Sequence, residues 1–246
     1  HIWWLVPDIL AAGYSLLRVN MRGAGPARPL AKGTYNACAG ADLLAFITAA
    51  ADHDPDVPLF MMAHSLGGTA ALNMALDFPQ ETARLAGLVT IGTPLDMMAT
   101  SRRFSRHRNR VYGRHMLLAL KHIAGTAPGI SNETLAAAFS ARSVREFDDR
   151  VTAPMAGHRN AAAYYRASSV HERMQKIAIP VLVLHGSNDP WVPSKTCLKL
   201  PVPADPLAGV SVVVTRGGGH VGFHDSQLNW HIRATVAWCD AVAARG

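Results

Sequence analysis

Short runs of consecutive apolar residues alternate along the chain with longer stretches of helical pattern. The runs are Tyr14–Asn20, Pro58–Ala63, Gly87–Ile91, Pro180–His185 and Val210–Thr215. Each stops at turn-forming residues, such as Gly92-Thr93-Pro94 after the third and Gly217-Gly218-Gly219 after the fifth. Nearly unbroken apolar strands separated by helices predict an α/β fold whose mostly parallel sheet is covered on both faces. Between the third and fourth runs lies Pro94–Ile179, far longer than an ordinary crossover. Its pattern is helical, as in Met116–Leu120 and Glu133–Phe139. This predicts a helical cap insertion at about residues 97–178, set over the carboxyl ends of the strands, where open α/β sheets bind ligands. No internal repeat or low-complexity linker interrupts the chain, so one domain over residues 1–246 is expected.

Composition narrows the class without changing this picture. At 246 residues, 49% hydrophobic and 17% charged, the chain is able to bury a core, which excludes disordered, collagen-like and disulfide-stapled classes. No run of about 18 apolar residues occurs. The greasiest stretch, Ile2–Leu17, is broken by Pro7, Asp8 and Gly13. The first residue is His1, and no basic segment leads into a short apolar one, so no secretory signal is visible. Cys38, Cys197 and Cys239 are odd in number and lack metal-like spacing. They predict buried thiols, a reducing compartment and hence a cytoplasmic location, with no metal.

The net charge of +7 has a local origin. From Met97 to Asn132 there is no Asp or Glu, yet the segment holds Arg102, Arg103, Arg106, Arg108, Arg110, Arg114 and Lys121. Without these seven, cations and acids are equal in number. Such a patch suits phosphate, anionic lipid or nucleic acid, and its bland reading is a solvated helical face. No recognised nucleic-acid motif accompanies it, so a nucleic-acid partner is not expected.

The strongest chemical signal is Met62-Ala63-His64-Ser65-Leu66-Gly67-Gly68, between a strand and a helix predicted over Thr69–Asp77. It has the small-x-Ser-x-Gly form of a nucleophile elbow, where a serine sits on a sharp turn and small neighbours are needed. Ala63 stands where Gly is usual, and Gly67 is as expected. The bland alternative is a helix capped by a serine. A serine hydroxyl needs a base, and His220, in Gly217-Gly218-Gly219-His220-Val221-Gly222-Phe223, follows the last strand with glycines on both sides. The imidazole needs an orienting acid. Asp189, in Gly186-Ser187-Asn188-Asp189-Pro190, gives the hydrolase order Ser, Asp, His; its bland alternative is an Asx turn ahead of Pro190. Asp96 is the rival acid. His64 reads as a packed core histidine, Tyr164 and Tyr165 as aromatics under the cap, and Trp3 and Trp4 as one apolar helix face.

With these residues in place the chain resembles the α/β hydrolases, and within them the YheT-like esterases. The likeness runs from about Arg18 onward, through Arg18–Gly25, the elbow, Pro180–Pro190 and Gly218–Phe223. Its most family-specific pieces lie in the cap, Ser143–Arg150 and Tyr164–Ser169. The resemblance implies Ser65 as nucleophile, Asp189 as orienting acid, His220 as base and the Leu66 N–H as one oxyanion-hole donor. It implies no cofactor. Family members carry a His-Gly loop, ahead of the segment equivalent to Trp3–Leu10, that supplies the second donor. The chain begins after it, so the first three of the family's eight strands are expected to be missing. Tyr14–Asn20 and Pro58–Ala63 would then face a gap of unpaired backbone groups, with poor stability and weak activity.

The expected function is hydrolysis of carboxylic esters through an acyl-enzyme intermediate. The partners are a small-molecule or lipid ester and, through the basic rim, peripheral contact with an anionic membrane. The alternatives are a thioesterase or amidase of the same fold, or a binding protein that has kept the fold without useful catalysis.

Overall fold

A computed structural model describes residues 3–225 and 229–245. Four strands, β1 (Phe60–His64), β2 (Gly87–Ile91), β3 (Val181–Gly186) and β4 (Val210–Thr215), form one parallel sheet in the order β1-β2-β3-β4. All four agree with the apolar runs to within two residues at either end. Successive side chains in a strand point to opposite faces, and both faces are apolar here. Leu88, Val181 and Val183 pack with the helix side chains Leu72 and Met74. Val89, Ile91, Leu182 and Leu184 pack with Trp238 and Cys239 on the other side.

The covering helices follow the predicted alternation. α1 (Val6–Ala11) and α2 (Leu44–His53) precede β1. α3 (Leu66–Asp77) and the short α4 (Pro79–Thr82) connect β1 to β2. Six helices lie between β2 and β3, where the cap is expected: α5 (Met97–Phe104), α6 (Arg110–Thr126), α7 (Asn132–Ser140), α8 (Val144–Phe147), α9 (Ala153–Met155) and α10 (Ala161–Ser168). A π-helical turn, Asp148–Thr152, joins α8 to α9. α11 (Trp230–Ala243) closes the chain on the Trp238 side of the sheet. No helix among the described residues is long and apolar enough to cross a membrane.

Tyr14–Asn20 is irregular, not a strand. Apolar content makes a segment fit to pair, but a ladder needs a neighbour within hydrogen-bonding distance. Here residues 12–21 and Leu59–Ser65 line the same cavity of about 1580 Å³. Among the described residues no strand pairs with the outer edge of β1. β1 is only half-buried along its length, whereas β2 is buried throughout.

Two smaller expectations change as well. Cys197 and Cys239 are buried, but Cys38 is exposed on a turn, its backbone N–H donated to Asn36 Oδ1. Trp3 is exposed, with the Arg18 guanidinium 3.8 Å from its ring centroid, so a cation–π contact holds it at the surface. The side chain of Trp4 lies outside the described residues.

Candidate active site

The end of β1 turns abruptly into α3 at Ser65, whose φ of 51° and ψ of −129° are unusual for a residue with a side chain. The Ser65 N–H donates to the Ile91 carbonyl, pinning the turn to the end of β2. The helix starts at Leu66, three residues before the patterned segment. The Gly68 and Thr69 N–H groups donate to the Ser65 carbonyl, while those of Leu66 and Gly67, the first two of the helix, have no acceptor inside it.

Steric pressure at the elbow falls on Gly68 instead of Gly67. A Cβ at Gly68 would overlap the buried Thr93 side chain, while a Cβ at Gly67 meets nothing within 4 Å. Gly68→Ala is therefore expected to cost about 3 kcal/mol or more, as overpacking of a tight interior does. Gly67→Ala, on the open side of the first helical turn, is expected to be neutral or to stabilise by about 0.5–1 kcal/mol. Urea midpoints of the two variants check the contrast. Equal effects would contradict it.

His220 reaches Ser65 from the loop after β4. Its Nε2 lies 2.8 Å from Ser65 Oγ, and its Nδ1 lies 2.8 Å from Asp189 Oδ2. The loop approaches so closely that a Cβ at Gly92, where φ is +60°, would strike the His220 carbonyl. Asp189 is fully buried after β3. Its Oδ1 accepts the N–H groups of Trp191 and Val192, so the Asx turn anticipated as an alternative exists, made by one oxygen while the other faces the imidazole. Asp96 does not join this group. It caps α5 by accepting the Ala99 N–H.

Other contributors carried no sequence signal. The cap holds the Asp189 loop from above: Arg103 Nη2 donates to the Asp189 carbonyl, and Asn109 Nδ2 to the Pro190 carbonyl. The Trp191 ring centroid stands 4.6 Å from that of His220 and 5.2 Å from that of Tyr112 on α6. Asn188 Oδ1 accepts the Gly219 N–H and steadies the glycine run. These are contacts between segments far apart in sequence, and neither periodicity nor local spacing encodes them.

Ser65 and His220 open into the 1580 Å³ cavity, walled on the cap side by Met97, Phe104, Met116, Leu120, Tyr164 and Tyr165. Tyr164 and Tyr165 are buried under the cap; the Tyr164 hydroxyl accepts the Ala37 N–H and the Tyr165 hydroxyl donates to Asp148. Among the described residues no group of three or more His, Cys, Asp or Glu is arranged for a metal.

Burial sets the titration of the groups around the site. It pushes His64, in edge contact with His231, down to about 4, helped by the charges of His231 and His220. His231 is likewise pushed down to about 4, mainly by burial. Burial raises Asp148 to about 6, against the hydroxyls of Tyr165 and Thr152 that favour its charged form. Unfolded, each histidine takes a proton near pH 6.5, but folded only near 4. Stability from these two groups is therefore complete above pH 6.5 and lost as pH falls toward 4. Asp148 opposes one of them between about pH 4 and 6, because its folded form holds the proton longer. The three together give a net acid-side slope of roughly 1.4 kcal/mol per pH unit in that window. Urea midpoints across this range should show the decline, and His231→Phe should flatten it. An unchanged slope in that variant would disprove the account.

The sequence model of the alpha/beta hydrolase fold family matches residues 1–227. The chain is 32% identical over 174 residues to the Escherichia coli protein named "Putative esterase YheT", covering 68% of this chain and 49% of that one. It is 29% identical over 218 residues to mouse phospholipase ABHD3, covering 86% and 51%. The chain thus spans about half the length of these relatives. Among solved structures, a monoacylglycerol lipase from Paleococcus ferrophilus superposes with a TM-score of 0.58 at 19% identity, over 98% of this chain and 89% of that one, and shows the shared fold. A parallel sheet helix-covered on both faces, a family match over most of the sequence and esterase and lipase relatives agree: this chain belongs to the α/β hydrolases.

Proposed function

We propose that the chain carries the catalytic centre of a serine hydrolase that cleaves carboxylic esters. The reading rests on one observation, the unbroken relay Asp189–His220–Ser65 with both contacts at 2.8 Å. His220 Nε2 takes the hydroxyl proton as Ser65 Oγ attacks the ester carbonyl carbon. Asp189 holds Nδ1–H and stabilises the imidazolium that forms. The Leu66 N–H donates to the developing oxyanion. The tetrahedral intermediate collapses, His220 gives its proton to the leaving alcohol, and Ser65 is acylated. Water, deprotonated by the same imidazole, then releases the acid and restores the serine. Every proton is moved by His220, so the reaction needs no cofactor.

The substrate is a small-molecule or lipid ester, since the cap-side wall of the cavity is mostly apolar. The names of the relatives, an esterase and a phospholipase, point the same way. The relay does not distinguish an oxygen leaving group from sulfur or nitrogen. A panel of matched oxygen esters, thioesters and amides separates the thioesterase and amidase alternatives. A fluorophosphonate probe tests the reading itself: an activated Ser65 becomes covalently labelled, and a chain that resists labelling is not a serine hydrolase.

A further inference from the structure

α6 and the segment that leads into it carry exposed cations beside exposed apolar side chains, and the other side of α6 walls the cavity holding Ser65. Along α6 positions 111, 114, 115, 118 and 122 recur at helical spacing, and all are exposed. Val111 and Leu118 are 81% and 57% exposed, two turns apart, with Arg114 between them. Tyr112, 52% exposed, adjoins Val111. Phe139 of α7, 56% exposed, lies against Gly125 of α6 and extends the apolar surface. Arg102, Arg106, Arg108 and Arg110 are exposed around the start of the helix. Among the described residues none of these four, nor Arg114, has a carboxylate within 4.0 Å. On the opposite flank Met116, Leu120 and Ile123 line the cavity.

Single exposed apolar residues need no explanation, but here they lie along the helix that carries Arg110 and Arg114 and that follows directly on Arg102, Arg106 and Arg108 in the chain. That combination belongs to helices that lie in the headgroup region of a bilayer, where cations meet phosphates and apolar side chains reach the acyl boundary. A nucleic acid or an acidic protein would engage the cations and leave Val111 and Leu118 in water. We propose that the α5–α6 arm docks on an anionic phospholipid bilayer, with Arg106, Arg108, Arg110 and Arg114 at the lipid phosphates and Val111 and Leu118 inserted beneath them. The proposal deepens the esterase reading and rests on it for its purpose, since a lipid ester leaving that bilayer would have a single helix to pass before reaching Ser65.

The test is co-sedimentation of the whole chain with phosphatidylcholine vesicles, with and without phosphatidylglycerol. Binding should require phosphatidylglycerol and fall with added salt. Replacing the four arginines (R106S, R108S, R110S, R114S) should weaken it on the order of 100-fold, at about fivefold per cation near an anionic surface and allowing for incomplete engagement. V111S with L118S, at unchanged charge, should weaken it about tenfold through lost apolar burial, and Val111→Trp should tighten it. Unfolding midpoints establish that each variant is folded. Absence of binding, equal binding to neutral vesicles, or a V111S/L118S chain that binds like the parent would overturn the proposal. Duplex DNA that displaces the vesicles while Val111 and Leu118 make no difference would also overturn it, in favour of a charge-only site. Labelled Ser65 without vesicle binding sinks this proposal alone, and vesicle binding with unlabelled Ser65 sinks the hydrolase reading alone.

Discussion

Ser65→Ala is expected to abolish both fluorophosphonate labelling and ester turnover while leaving the fold in place. The methyl group is smaller than the hydroxymethyl it replaces and makes no new contact, and the turn keeps its Ser65 N–H bond to Ile91 through the backbone. What disappears is the atom 2.8 Å from His220 Nε2. In a serine protease, loss of the nucleophile costs about 10⁶-fold in kcat, and a similar collapse toward the uncatalysed rate is expected here. A soluble chromogenic ester and a urea curve provide the two measurements. Residual turnover within tenfold of the parent would mean that another group, or water activated directly by His220, performs the attack.

Asp189→Asn should lower kcat by about 10⁴-fold, the loss seen when the equivalent acid of a serine protease is so changed. The reason lies in the two jobs of this carboxylate. Its Oδ1 accepts from Trp191 and Val192, and an asparagine oxygen can continue to do so. The amide nitrogen is then left facing His220 Nδ1, where Oδ2 stood. A donor there forces the proton of the neutral ring onto Nε2, which can no longer take the proton of Ser65. The variant should therefore unfold close to the parent's midpoint, and its KM should move little. A loss of less than tenfold would remove Asp189 from the orienting role. Asp96 could not replace it, because its side chain is committed to the start of α5.

The four paired strands were legible because burial on both faces leaves a continuous apolar run, and such runs are bounded by turn residues. Gly87–Ile91 and Val210–Thr215 coincide with the observed strands residue for residue. The helical span between β2 and β3 was legible from length alone, since no crossover needs so many residues. Tyr14–Asn20 has the same apolar character yet forms no strand, because hydrophobicity records burial and says nothing about a hydrogen-bonding neighbour. The order of Ser65, Asp189 and His220 could be read along the chain, but the tightness of the elbow at Gly68 and the aromatic bridge from Tyr112 through Trp191 to His220 could not. Those depend on packing between segments that only the fold brings together. Charge patterning located the basic segment, and exposure in the structure added the apolar residues that give it direction.

Among the described residues the outer flank of β1 has no strand partner, and this bears on how the 246-residue chain behaves in concentrated solution. Phe60-Met61-Met62-Ala63-His64 carries no lysine, glutamate or proline to discourage a foreign strand, and Val210–Thr215 at the opposite border of the sheet carries none either. Proteins that leave such borders uncovered commonly guard them with those residues. Two copies meeting along these borders would zip backbone to backbone, so self-association should rise steeply with protein concentration, which sedimentation velocity over a dilution series would show.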